Sequence, residues 1–370
     1  MSNSLCRWGI LSTANIGRKN WRAITLSGNG VVQAVSSRSE AKAKTYIDEC
    51  MAEVPLPVAP QAFGSHQELL ESDQIDAVYI PLPTGLRKEW VLAAAKAGKH
   101  VLIEKPVADT LQDAIEMRDA CKQAGVQFMD GVMFDHSKRI SEVANQLEGG
   151  SIGTLRRIQA HFSFNGDDEF QQDNIRTDMV LEKHGCLGDL GWYCIRFILW
   201  ASAFRDPVRV SARTVTKLQR PGSDDWVPGQ FAAEFEYEDG LTAGFFCSFM
   251  TANQQLASVS GTDGYLTLDD YVLPLFDSKL DWQIHRHDLQ IDNCTWNFLR
   301  RSEPFYTDEF HGAHGNAQEV NMMRAFADIV CSGQLNDELA DRAIKTQRLL
   351  DACRLSDSNG GAFIALDSVG

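Results

Sequence analysis

The chain of 370 residues has no stretch apolar for long enough to cross a membrane, and its N-terminal MSNSLCRWGILS has no basic region followed by an apolar one. Positive charge is also scarce: the formal net charge is -15, with no basic face to attract nucleic acid and no block of like charges to act as an interaction tail. Nine cysteines are scattered without a C-x-x-C pair or framework spacing. Free thiols in a reducing compartment, and so a cytoplasmic protein, are expected. A Gly-x-Ser-x-Gly elbow and a Walker loop are both missing, which removes the usual signatures of hydrolase and NTPase chemistry. His285-Arg286-His287 and His311-Gly312-Ala313-His314 have spacings a metal could use, but no neighbouring Cys or carboxylate completes a ligand set, and no metal is expected. Internal repeats and low-complexity segments are absent as well.

With 44% hydrophobic residues the chain can build two cores. In the first third, short apolar runs alternate with helical patterns: strands at 7–11, 31–36, 77–82, 101–103 and 126–129, helices at 16–26, 42–51, 88–97 and 111–124. Such alternation implies right-handed crossovers and a Rossmann-type, doubly wound parallel sheet. The Pro-rich VPLPVAP at 54–60 reads as a loop. Beyond about Phe134 strand follows strand, at 155–164, 208–215, 231–237, 241–249, 256–260 and 264–269, before helices at 319–330 and 339–355 close the chain. The fold class expected is therefore α/β, with a C-terminal α+β domain built on a large, mostly antiparallel open sheet. Residues 1–132 would form the dinucleotide-binding domain, and residues 133–370 the substrate-binding and oligomerisation domain.

The first strand runs into Ser12-Thr13-Ala14-Asn15-Ile16-Gly17. A Gly-x-Gly-x-x-Gly fingerprint works because small residues let backbone amides approach a pyrophosphate at a helix N-terminus, and here the three slots hold Ser12, Ala14 and Gly17. By itself this is a degenerate match; it gains weight from following a strand and opening a helix. The second strand ends in Ser36-Ser37-Arg38 with no acid to take a ribose 2'-hydroxyl. An Arg there accommodates a 2'-phosphate, so Ser37 and Arg38 favour NADP(H), with NAD(H) as the alternative; the plain reading is a solvated loop arginine. Pro81, Leu82, Pro83 and Thr84 form a rigid loop at a third strand end, and GKHVLIEKPV ends a fourth strand at Glu104-Lys105-Pro106, where Pro cannot continue the ladder. Both loops fall on the edge where open α/β sheets bind ligands.

Together, Arg7-Trp8-Gly9-Ile10, the PLPTG loop at 81–85, AAAKAGKHVLIEKP at 93–106 and Gly185-Cys186-Leu187-Gly188-Asp189-Leu190-Gly191-Trp192-Tyr193 make the sequence resemble the glucose-fructose oxidoreductase and inositol dehydrogenase group, Gfo/Idh/MocA. RWGI and the Gly-x-Tyr pattern look closest to the dimeric dihydrodiol dehydrogenase and sugar dehydrogenase branches. The resemblance implies that Lys105 is the active-site lysine, that Glu104 lies beside the cofactor ribose, and that the Lys105-Pro106 peptide is cis. It further implies that Asp189 and Tyr193 form the second catalytic segment, with Tyr193 as acid/base, and that the protein is a homo-oligomer assembled through the C-terminal sheet.

The chemistry agrees with that assignment. Hydride transfer from a carbinol to nicotinamide requires the hydroxyl proton to leave, so a phenol at that oxygen is useful, and a nearby ammonium favours its phenolate. Asp189 and Tyr193, four apart, share a face if the segment is helical. The bland alternatives are a helix-terminal Asp189 and a core Tyr193. Arg176, His184 and His136 are candidate substrate contacts, although Lys138 stands where the group commonly has Pro. The expected function is NADP-dependent hydride transfer to or from a ring carbinol of a sugar, polyol or dihydrodiol. Within the same group, a non-catalytic cofactor-sensing regulator and an NAD-assisted glycoside hydrolase are the rival readings.

Overall fold

A computed structural model describes residues 5–275, 280–312 and 314–370, and in it the alternating runs of the first third become a six-stranded parallel sheet. Its elements are β1 (Cys6–Leu11), α1 (Asn15–Ser27), β2 (Gly30–Ser36), α2 (Glu40–Glu53), β3 (Gln61–Phe63), α3 (His66–Glu71), β4 (Ala77–Ile80), α4 (Thr84–Lys96), β5 (His100–Ile103), α5 (Leu111–Ala124) and β6 (Phe128–Asp130). The strand order β3-β2-β1-β4-β5-β6 reverses between β1 and β4, the topological switch point of a dinucleotide fold.

Trp8, Ile10, Trp21, Ile24, Tyr79 and Leu102 are fully buried around this sheet. Each large apolar side chain withdrawn from water contributes about 1.5–3 kcal/mol, and this layer is the main stabilising term. Two later segments belong to the same unit, Met179–Lys183 and Gly312–Gln347. The helix Gln318–Ser332 is the larger contribution, and its Phe326 ring lies 5.1 Å from that of Trp8.

The second unit comprises Ser137–Asp178, His184–His311 and Arg348–Gly370. It contains α6 (Lys138–Glu148), β7 (Leu155–Asn165), α7 (Asp168–Asp173), α8 (Trp192–Ala201), β8 (Arg209–Gln219), β9 (Trp226–Glu236), β10 (Thr242–Ser248), β11 (Met250–Gln254), β12 (Ala257–Gly261) and β13 (Tyr265–Leu268). β14 (Leu280–His285), β15 (Asp288–Asp292), β16 (Thr295–Leu299), β17 (Ser302–Thr307) and β18 (Ile364–Ala365) follow. All but β15 and β16 join one ten-stranded sheet, ordered β17-β14-β13-β12-β7-β10-β9-β8-β18 with β11 beside β7. It is antiparallel except where β10 runs parallel to β7. α8, buried from Trp192 to Leu199, packs on β7 and β10, so inward residues such as Ile158, Phe235 and Phe245 are apolar. The opposite face carries Gln159, His161, Glu234 and Ser258 around a shallow depression of about 540 Å³. A buried ion pair, Arg139 with Asp270, ties α6 beneath the sheet edge.

Some boundaries differ from the sequence reading for identifiable reasons. β4 stops at Ile80 rather than Leu82, because Pro81 has no N–H for the ladder. α4 begins at Thr84, four residues earlier than its apolar periodicity suggested, directly after Pro83. β3 and α3 are too short to show a period, and β14 to β17 were not anticipated. Among the described residues no helix is long and apolar enough to cross a membrane.

Candidate active site

At the carboxyl end of β1 the chain turns through Ser12 into α1. Ser12 adopts φ 154°, a value that glycine takes readily and other residues rarely, and its Oγ accepts from the Ala14 N–H at 3.0 Å. Ala14 caps α1 without a side-chain hydrogen bond, so no side chain of the cap answers the first-turn amides. Gly17 is required by space, since a Cβ there would stand 2.6 Å from the Tyr46 hydroxyl. A cavity of about 320 Å³ opens beside this turn, lined by Thr13, Arg18, Lys42, Thr45, Tyr46 and Glu49. The Arg18 guanidinium lies over the Tyr46 ring, 4.8 Å from its centre, and pairs with Glu49.

Ser37 and Arg38 follow β2 at the same edge, Ser37 buried and Arg38 exposed. The Ser37 N–H donates to the Phe63 carbonyl at 3.1 Å, fixing where the strand ends. Beside them His66 bonds Ser36 Oγ through Nδ1 at 2.7 Å and meets the Trp90 ring edge-on. Burial, with the nearby Arg38 charge adding to it, holds its pKa below the usual 6.5.

The two proline loops emerge from β4 and β5. Thr84 donates its N–H and hydroxyl to the two oxygens of Glu182, at 3.0 and 2.6 Å, so the α4 N-terminus is capped from a distant part of the sequence. Tyr79, buried on β4, donates its hydroxyl to Glu104 Oε1 at 2.5 Å, and burial followed by the Glu104 charge pushes that phenol up. The Lys105-Pro106 peptide is cis. Arg87, 4% exposed on α4, joins the loops: Nε donates to the Leu82 carbonyl at 2.7 Å and Nη1 to the Pro106 carbonyl. His136 closes a single 3-10 turn, Met133–His136, after β6.

In the second unit, Asp189 sits in a π-helical turn, Leu187–Gly191, that runs directly into α8. Such turns recur at functional sites, and this one keeps Asp189 and Tyr193 within about one turn of each other. Gly185, at φ 49°, starts the segment where a Cβ would stand 2.4 Å from the Pro228 carbonyl oxygen. Asp189 Oδ2 pairs with Arg176 Nε at 2.8 Å, which brings together two residues chosen separately from the sequence. The loop bearing Arg176 is braced by Arg220, whose guanidinium reaches Asp178 Oδ2 at 2.6 Å and Thr177 Oγ1 at 3.2 Å. Tyr193 is 6% exposed with its ring edge-on to Phe162, and His184 is buried.

The first unit therefore brings Ser12 to Gly17, Ser37, Arg38, the Pro81–Thr84 loop and Glu104 to Pro106 onto one sheet edge. The second brings Arg176, Asp189 and Tyr193 onto one helical segment and its flanking loop. Arg87, Glu182, Tyr79, Arg18, Lys42 and Arg220 were missed by the sequence reading. The residues present fit a dinucleotide: an α1 N-terminus with no side-chain cap, a glycine that keeps the α1 backbone close to Tyr46, and a switch point flanked by β1 and β4.

A dinucleotide-type sheet edge followed by a second α+β unit is the architecture of a nicotinamide-dependent oxidoreductase, and the comparisons with known proteins place the chain in that class. Residues 6–132 match the oxidoreductase family with an NAD-binding Rossmann fold, and residues 140–267 match the GFO/IDH/MocA C-terminal domain. The chain belongs to the Gfo/Idh/MocA oxidoreductase family and is an NAD(P)-dependent dehydrogenase or reductase. It is 36% identical over 263 residues to D-xylose 1-dehydrogenase (NADP(+)) 2 of Haloferax volcanii, covering 70% of this chain and 74% of that protein. It is 30% identical over 267 residues to trans-1,2-dihydrobenzene-1,2-diol dehydrogenase of Bos taurus, covering 71% and 74%. The crystal structure of KijD10, a 3-ketoreductase from Actinomadura kijaniata in complex with NADP and TDP-benzene, superposes with a TM-score of 0.80 at 27% identity, covering 96% of this chain and 98% of that one.

Proposed function

We propose that the protein transfers hydride between NADP(H) and a ring carbinol, or the corresponding ketone, of a sugar, polyol or dihydrodiol. The observation that carries this reading is the sheet edge at the switch point, where the α1 N-terminus, Arg38 and the Glu104-Lys105-Pro106 loop gather. The relatives add weight, since they are named as xylose, dihydrodiol and keto-sugar enzymes.

In this reading the amides at the start of α1 hold the pyrophosphate and Arg38 takes the 2'-phosphate. The bound nicotinamide supplies or accepts the hydride. Tyr193 exchanges the proton at the reacting oxygen, and the Lys105 ammonium polarises that oxygen and favours the phenolate. Asp189, held by Arg176, orients the substrate hydroxyls or Lys105, while His136 and His184 are candidate substrate contacts. The first domain holds the cofactor and the second the substrate. A homo-oligomer built on the second domain's sheet, in a reducing cytoplasm that suits the free thiols, completes the reading.

The experiment is a fluorescence titration of wild type and Arg38→Ala with NADPH and NADH, followed by turnover of aldoses and dihydrodiols by wild type, Lys105→Met and Tyr193→Phe. Tight NADPH binding, lost selectively in Arg38→Ala, and turnover lost in the other two variants support the proposal. Failure to bind either cofactor overturns it. Binding without turnover of any polyol would favour a cofactor-sensing regulator.

A further inference from the structure

A short piece of the first unit comes from the middle of the second unit's sequence. Met179–Lys183 belongs to the first unit, while Ser137–Asp178 before it and His184–His311 after it belong to the second. In sequence this strap lies between Arg176 and the π-helical turn that carries Asp189 and leads into Tyr193.

Its contacts fall on the start of α4, directly after the Pro81–Thr84 loop. Glu182 accepts from the Thr84 N–H at 3.0 Å and from the Thr84 hydroxyl at 2.6 Å, one oxygen for each donor. The Leu181 carbonyl accepts from the Gly85 N–H at 3.1 Å. The Val180 carbonyl comes so near that a Cβ on Gly85 would stand 2.5 Å from its oxygen, which accounts for a glycine at a helical position where Ala is ordinarily better. Burial raises the Asp109 pKa, and the Lys183 ammonium opposes that rise. The Val180 side chain is 76% exposed, so the strap meets α4 with its backbone and with the Glu182 carboxylate.

That carboxylate also supports Arg87. Burial lowers the Arg87 pKa, Glu182 is foremost among the charges that resist it, and Arg87 donates to the Leu82 and Pro106 carbonyls. Glu182 is therefore linked to one proline loop through Thr84, and to both through Arg87. The strap has no slack. Only Met179 separates Val180 from Asp178, which Arg220 holds within the second unit at 2.6 Å, and only Lys183 separates Glu182 from the buried His184. Two residue steps of extended chain span at most about 7 Å.

We propose that Glu182 is a positioning residue for hydride transfer, the clasp of a strap that ties the chain bearing Arg176, Asp189 and Tyr193 to the loops bearing Thr84 and Lys105. This assignment rests on the reading of Lys105 and Tyr193 as catalytic. Both oxygens of Glu182 are engaged by Thr84, so it acts through Thr84 and Arg87 rather than on the reacting atoms. Releasing it frees the two groups of residues to drift, and a misplacement of about 1 Å costs on the order of a hundredfold in rate.

The test compares wild type with Glu182→Ala, Glu182→Gln and Gly85→Ala. The last leaves Glu182 intact but drives a Cβ against the Val180 carbonyl. Rapid mixing follows NADPH formation in the first turnover, at saturating NADP and with the aldose or dihydrodiol that wild type oxidises fastest. A variant that is merely unstable loses amplitude, whereas one with misplaced reactants loses rate. The expected result is a first-turnover rate lowered roughly tenfold to a hundredfold in Glu182→Ala and Gly85→Ala with amplitude kept, an intermediate rate in Glu182→Gln, which retains one acceptor, and an NADPH dissociation constant changed by less than about threefold. Amide hydrogen exchange at Thr84 and Gly85 should quicken in Glu182→Ala. A wild-type rate in that variant, whether or not those amides open, overturns the positioning role, and so does a loss of rate that merely follows a loss of NADPH binding. A wild type that oxidises no polyol tells against the oxidoreductase reading and takes the positioning role with it; that outcome is distinct, because the Thr84 and Gly85 amides would still respond to Glu182→Ala.

Discussion

Arg87→Met removes a side chain that binds both proline loops. Its guanidinium is 4% exposed and donates to the carbonyls of Leu82 and Pro106, on either side of the edge that carries Lys105. Burial lowers its pKa, and the neighbouring Glu182 and Glu104 carboxylates resist that, so the buried cation is stabilised from within its own unit. Met fills a similar volume but leaves two carbonyls without their donor, at about 1–3 kcal/mol each. Relief from burying a charge offsets part of this, and a net loss of about 3 kcal/mol is expected. Thermal unfolding should show it as a fall of roughly 5–10 °C in the transition that reports the first unit. Because Pro106 directly follows Lys105, turnover should fall by roughly tenfold to a hundredfold while NADPH affinity changes much less. Arg87→Lys, which keeps the charge but cannot reach both carbonyls in the same geometry, should fall between Met and wild type. A Met variant with wild-type stability and turnover would refute the idea that this guanidinium fixes the loops.

Three further tests address other parts of the molecule. His66 has a depressed pKa, so below about 6.5 the unfolded chain binds a proton that the folded protein refuses, and stability should fall as pH drops through that value and be insensitive to it above. A 2'-phosphate at Arg38 would favour the imidazolium, so the preference for NADPH over NADH should grow as pH falls below neutrality; calorimetry in buffers of different ionisation enthalpy would register the proton uptake. Asp270→Asn leaves Arg139 buried without its counter-ion and should cost about 3–5 kcal/mol in denaturant unfolding of the second unit, with NADPH binding unaffected. Gly185→Ala, at a left-handed φ and against the Pro228 carbonyl, should displace the π-helical turn and lower turnover more than cofactor binding.

Much of the first unit was legible because strand and helix periods alternate cleanly there, and the loop residues at each strand end stand out against apolar runs. Elements spanning fewer than two periods were not legible: β3 has three residues and α3 six. The long-range ties were harder still. An arginine on a helix reads as solvated, yet Arg87, Val91, Ala94 and Ala95 are all buried at helical spacing, so the stripe itself held a signal that Arg87 faces inward. Glu182 offered no such signal. It caps α4 from 98 residues away, and only the folded chain shows the pairing. Arg176 and Asp189 were each chosen for a separate role, and their ion pair depends on a loop whose path no local period dictates.

The fingerprint shows most clearly what its pattern encodes. Its three slots are read as glycines, yet only the third needs one for space. Ser12 already holds a glycine-like φ, and its hydroxyl compensates by accepting from Ala14 N–H; Ala14 has the extended backbone of an ordinary helix cap. Gly17 differs, because any Cβ would drive into the hydroxyl of Tyr46, a side chain 2% exposed and hard to displace. Ser12→Gly should therefore change stability by less than about 1 kcal/mol, since a relaxed φ offsets a lost hydrogen bond and added chain entropy. Gly17→Ala should cost about 1–3 kcal/mol as overpacking and push the start of α1 away from Tyr46 on α2, weakening NADPH binding in the same titration that tests Arg38. If Ser12→Gly proved the more damaging substitution, the hydroxyl rather than the space at Gly17 would be what makes this degenerate fingerprint work.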